Sequence, residues 1–137
     1  MKNYEIIEHT ADIGIRVWAD DLAGLFRNAG LAIFELSCER TSPDKEKHKT
    51  VVTQQAEGIE ELFVNWLNEL LSLSAVKGLV FEDIVIREIR GNSVKAVAIG
   101  SSISNFKVNS EIKAATYHQL KIEKTHSGWQ AEVIFDV

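Results

Sequence analysis

Residues 12–18 alternate strictly: Ile13, Ile15 and Val17 fall on one side, and Asp12, Gly14, Arg16 and Trp18 on the other. That period of two predicts a strand with one buried face. Leu22, Leu25, Phe26, Ala29, Ile33 and Leu36 then recur at helical spacing, behind Asp20 or Asp21 as a side-chain cap. Gly24 and Gly30 each weaken such a helix by about 1 kcal/mol, so packing must hold it. The next segment, CERTSPDKEKHK at 38–49, carries the single proline and the densest charge and reads as a mobile, solvated loop. A short strand is expected over 50–55.

The strongest pattern lies at 58–74. Ile59, Leu62, Phe63, Trp66, Leu67, Leu70 and Leu73 form a broad apolar stripe, and Glu60 and Glu61 occupy the first turn, where the helix dipole favours anions. Trp66 on this stripe reads as core. Strands at 80–89 and 93–99 flank a tight turn, for which Gly91-Asn92 supplies the residues that favour positive φ. A second hairpin joins 118–125 to 129–136 through THSG. In its last strand Trp129, Ala131, Val133 and Phe135 share one face, and Gln130, Glu132, Ile134 and Asp136 the other. These elements predict an α+β fold: a mainly antiparallel sheet covered by two amphipathic helices. Residues 100–118, polar and without clear period until Ile112, read as a long functional loop.

Composition narrows the function classes. A chain of 137 residues is the size of one domain, taken here as 1–137. Its formal charge of −5 argues against a broad basic surface for gripping nucleic acid. No apolar run is long enough to span a membrane, and the start lacks a basic-then-apolar signal segment. The single cysteine, Cys38, falls on the predicted apolar face of the first helix and reads as a buried, inert thiol. Together these features point to the cytoplasm.

Phosphate-cradling GxxxxGK[ST] and GxGxxG loops, the GxSxG nucleophile elbow and the HExxH zinc motif are all absent. What remains is His9, Thr10 and Asp12 near the start, Lys113, Thr116, Tyr117 and His118 before the second hairpin, and Asp136 with Val137 at the end. Asp12 and Asp136 both project opposite to the apolar residues of their strands. If those strands are antiparallel neighbours, two carboxylates and the terminal carboxylate converge. Such oxygen donors suit a hard cation, which would also relieve the repulsion between the acids. Structural readings stand beside these: Asp12 as a strand-entry residue, Asp136 as a solvated acid, His9 as a turn anchor and Lys113 as a surface cation.

YEIIEHTADIGIRVWADDLAGLF, FVNWLNELL, IKAATYH and the closing FDV resemble, in order and spacing, the archease family, from Tyr4 to Val137. The resemblance implies a small α+β domain of strand-helix-strand-strand units. It implies an accessory protein, not itself a catalyst, of the RNA-splicing ligase that joins tRNA halves. That ligase forms a guanylylated histidine with GTP and divalent metal, and the archease promotes guanylylation and multiple turnover. Any contact with tRNA would be indirect, through the ligase. By motif, the metal ligands are Asp12, Asp136 and the main chain of Val137, with calcium as the expected ion; His9 and Lys113 are expected at partner or substrate contacts. One departure stands out. Ser101 and Asn105 occupy positions after Gly100 where the family commonly carries acids, with Glu111 as a possible substitute. The other functional readings are an independent metal-assisted phosphohydrolase using Asp12 and Asp136, and a chaperone-like interaction module.

Overall fold

The computed structural model describes residues 3–8, 12–43 and 46–137. In chain order the elements are β1 (Tyr4–Glu8), β2 (Ile13–Ala19), α1 (Leu22–Ser37), β3 (Cys38–Arg40), β4 (His48–Gln55), α2 (Ile59–Lys77), β5 (Leu79–Arg90) and β6 (Ser93–Ser102). A 3-10 turn (Ile103–Asn105) leads to β7 (Phe106–Val108), β8 (Ala114–Ala115), β9 (Lys121–Thr125) and β10 (Gly128–Asp136). The α+β class is as expected, and every strand pair is antiparallel.

The strands divide among separate sheets, which periodicity alone did not reveal. A five-stranded sheet runs β1-β2-β10, with β8 and β9 both pairing along the far edge of β10. A three-stranded sheet runs β4-β6-β5, and β3 pairs with β7 as a small third sheet. Each helix touches strands of both larger sheets: α1 packs on β2, β10 and β5, and α2 on β8, β4 and β5. The core is therefore a helix layer shared by two sheets.

Asp21 caps α1 by accepting from the Gly24 main-chain nitrogen at 2.7 Å. The helix then buries Leu25, Phe26, Ala29, Ile33 and Phe34. A Cβ added at Gly30 would stand 2.8 Å from Ile84 Cδ1 and 2.9 Å from Leu70 Cδ1. Close approach of β5 and α2 thus explains a glycine that helix propensity disfavours. The α2 stripe behaves as predicted, with Leu62, Phe63, Trp66, Leu67 and Leu70 fully buried. Trp66 also donates Nε1–H to the Phe26 carbonyl at 2.9 Å, joining the helices with a satisfied polar tip.

Four local expectations need correction. Cys38 is not on a helix face; it opens β3, half-buried, with its sulfur 3.6 Å from Ser37 Oγ. The segment from 38 to 49 is not a single loop, because Cys38–Arg40 pairs with Phe106–Val108 and β4 already begins at His48. Residues 100–118 are likewise ordered in part by the end of β6, β7 and β8. The β5–β6 turn has its two residues at Gly91-Asn92, yet neither has positive φ; among the described residues that conformation occurs at Gly78, Gln119 and Gly128. Two register shifts interrupt β5, at Phe81/Asp83 and Ile86/Glu88, and irregularities of this kind bend and twist a strand locally.

Candidate metal centre

The first strand and the last are direct neighbours. β2 and β10 pair antiparallel from Ala19↔Trp129 to Ile13↔Phe135. Asp12, the residue before β2, and Asp136, the last residue of β10, thus lie at the same end of the two strands. Opposed Cα atoms in such a ladder stand about 4.5–5.5 Å apart, and both side chains of a pair leave the same face. That face is the one turned away from the helices, since Ile15, Val17, Val133 and Phe135 on the other side are buried. Asp136 is exposed and Asp12 half-buried.

Further along this face, Arg16 sits between two acids. Its Nε and Nη2 donate to Glu132 Oε1 at 3.1 and 2.6 Å, and Nη1 donates to Glu5. The hydrogen bond to Glu132, then that to Glu5, holds the guanidinium above its usual pKa. Glu5 and Glu132 are thereby occupied. The acids at the end of the sheet stand apart from this pair of bridges.

The KAATYH segment borders the same end. Lys113 N–H donates to the Asp136 carbonyl at 2.8 Å, and Ala114 pairs with Asp136 across the ladder. The Lys113 side chain is exposed. Thr116 contributes structurally: its N–H and Oγ1–H both donate to the Ile134 carbonyl, at 3.0 and 2.8 Å. Tyr117 and His118 are exposed. His9 and Thr10 lie outside the described residues.

Sequence reading missed Asn68. From α2 this side chain accepts from the Ala115 N–H at 2.7 Å and donates to the Ala115 carbonyl at 3.2 Å. This two-way clamp holds β8 against the helix while β8 holds the end of β10. An Asn beside the apolar stripe of α2 was the available signal, since an amide there needs a partner.

The positions departing from the acidic pattern are structural. Ser101 is completely buried; it accepts from Arg40 Nη2 at 2.7 Å and donates to Glu82 Oε1 at 3.1 Å. The Asn105 carbonyl accepts from the main-chain N–H of Thr41 at 2.8 Å. Both tie β3 and its following turn to the end of β6. Glu82 supplies the carboxylate of that network, bound also by Lys47 at 3.1 Å. Glu111, the possible substitute, is exposed along a shallow cleft with Asn68 and Lys113.

Donor chemistry at the β2–β10 end can be tested against a metal. Among the described residues no group of three or more His, Cys, Asp or Glu side chains stands together. Two carboxylates with adjoining main-chain oxygen of Val137 form a hard, incomplete set, compatible with an oxygen-loving cation that takes its remaining ligands from water or a partner. Among the described residues no helix is long and apolar enough to cross a membrane.

Comparison with known proteins agrees with this architecture. The protein archease of Methanosarcina mazei is 37% identical over 142 residues, covering 99% of this chain and 97% of that protein. The protein archease of Pyrococcus abyssi is 36% identical over 143 residues, covering both chains completely. The solution structure of Methanobacterium thermoautotrophicum protein 1598 superposes with a TM-score of 0.75 at 28% identity and full coverage of both chains. The crystal structure of an archease from Thermotoga maritima, described as a possible chaperone, gives 0.63 at 28% identity, covering 96% of this chain and 94% of that one. The Archease protein family (MTH1598/TM1083) matches residues 4–137, and the chain belongs to that family.

Proposed function

We propose that this archease is a metal-binding accessory protein of an RNA-splicing ligase, promoting the ligase's guanylylation by GTP and its repeated turnover on broken tRNA. The observation carrying the proposal is the β2–β10 register, which brings Asp12 and Asp136 to one end of the sheet. Asp12, Asp136 and the main chain of Val137 would hold the ion, and calcium suits their oxygen donors. When bound, such an ion supplies positive charge that can offset triphosphate charge.

The chain's own contribution is placement. Lys113 N–H fixes the Asp136 carbonyl, and Asn68 fixes Ala115 one residue beyond the strand partner of Asp136. The end of β10 is therefore held along its β8 edge before a partner arrives. Holding reacting groups of the partner in productive geometry can lower a barrier by several kcal/mol, here without a bond being made or broken by this chain. The exposed Lys113 side chain would meet the partner or its substrate, and the family motif assigns His9 the same role. The ligase contacts RNA; this protein reaches it only through the ligase.

The deciding experiment adds the protein in substoichiometric amount to its cognate ligase with GTP and broken tRNA, and counts ligations per ligase. Wild type should convert a single turnover into many, while Asp12→Asn and Asp136→Asn should not. Full activation by both folded variants would sink the metal-dependent reading and favour a chaperone-like interaction module, the description given to the Thermotoga relative. Phosphoester hydrolysis by the isolated protein would instead make it an enzyme.

A further inference from the structure

Among the described residues, no element covers the centre of one face of the three-stranded sheet. Thr50, Val52, Ile84, Val94, Ala96 and Ala98 point inward and are buried. The alternate residues form cross-strand rows on the opposite side. One row is Val51–Val97–Val85, in which Val51 is 64% and Val85 37% exposed. Ile99, next to Val97 on β6, is half-buried.

Charge around this aliphatic row is the reverse of the molecule's. The chain carries a formal −5, yet Lys49, Arg87 and Lys95 border the row, with Arg90 one row further along and Asp83 and Glu88 as the acids on this face. The second register shift in β5 sets Arg87 and Glu88 together opposite Lys95. Among the described residues none of the four cations has an ion-pair partner, whereas the nearby acid Asp83 is already bound by Arg27 at 2.8 Å. Toward the β5–β6 turn a cleft of about 310 Å³ opens between Arg90, Lys95, Gln55 and Ser93, with Glu88 as the acid on its wall. An apolar centre with a charged rim is the anatomy of a protein interface. The absence of aromatic side chains from the central rows leaves no stacking platform for bases. A second copy fits poorly, because a two-fold axis along β6 would set Lys95 against its own equivalent.

We propose that this open face docks an acid-bordered aliphatic patch of the protein partner, apart from the Asp12–Asp136 end. The assignment rests on the ligase reading given above. Diffusional encounter would be steered by the unpaired cations, and the valine row would supply the dry centre.

The test measures ligase affinity of wild type and of K49E/K95E, with a V51D variant reporting on the apolar row. All three substituted side chains are exposed, and calcium titration of each variant checks that the fold and the carboxylate end persist. Expected is at least a tenfold loss of ligase affinity in K49E/K95E and in V51D, with wild-type binding weakened by added salt. Wild-type binding that both variants retain overturns this face while leaving the functional reading intact. No wild-type binding at all removes the ligase reading and this assignment with it. Two further outcomes overturn protein docking: tRNA retention by wild type that charge reversal abolishes while ligase affinity holds, and a wild-type dimer that V51D dissolves.

Discussion

Glu82 offers the sharpest stability prediction. Its carboxylate accepts from Arg40 through both oxygens, from Lys47 at 3.1 Å and from buried Ser101 at 3.1 Å. The hydrogen bonds from Arg40 hold its pKa at about 2, down from 4.5, against the opposing effect of partial burial; Lys47 and Ser101 add to the depression. Taken at face value such a shift corresponds to roughly 3 kcal/mol. The side chain is 31% exposed, and solvent screening reduces the expected benefit to about 1–2 kcal/mol. Glu82→Gln keeps the shape and removes the charge, so it should cost that amount at pH 7. The folded state lowers this pKa, so between 4.5 and 2 the unfolded chain binds the proton more readily. The contribution is therefore complete above about pH 5 and lost as pH falls through the folded value, with more than half gone by about pH 3. Urea unfolding of wild type and variant from pH 7 downward reads the difference directly. A variant as stable as wild type at pH 7, or a gap that does not narrow on acidification, would refute the reasoning.

Two other substitutions probe how the site is held. Asn68→Ala removes both hydrogen bonds to Ala115; it should cost about 1–3 kcal/mol in urea unfolding and weaken calcium binding at least threefold. Unchanged ion affinity would show that the clamp does not position the end of β10. Gly128→Ala sets a Cβ 2.1 Å from the Ala19 carbonyl at a φ of +145, so the thermal midpoint should fall by several degrees or more.

Legibility in the sequence followed the strength of local patterns. Five of the seven residues in the α2 stripe are fully buried, Ile59 and Leu73 are half-buried, and Val64, off the stripe, is buried as well. The faces of β2 and β10 were equally plain, because a period of two assigns every side chain. Their adjacency was not, since it joins residues over a hundred positions apart; strand alternation placed Asp12 and Asp136 outside the core, and the family resemblance supplied the reason to pair them. Strands as short as β3 and β7 carry no period, so a charged, proline-bearing segment looked like loop throughout. The Gly91-Asn92 pair misled on conformation because these residue types permit positive φ without requiring it. Ser101 looked like a missing acid, but Glu82 arrives there from another strand, a substitution that only the fold brings into contact.

Calcium titration by calorimetry, on wild type, Asp12→Asn and Asp136→Asn, addresses the central claim most directly. Saturable one-to-one binding by wild type, weakened at least tenfold by either substitution, is the predicted result. Identical binding by all three proteins, or no heat from any of them, would contradict a shared ion at the meeting of the first and last strands.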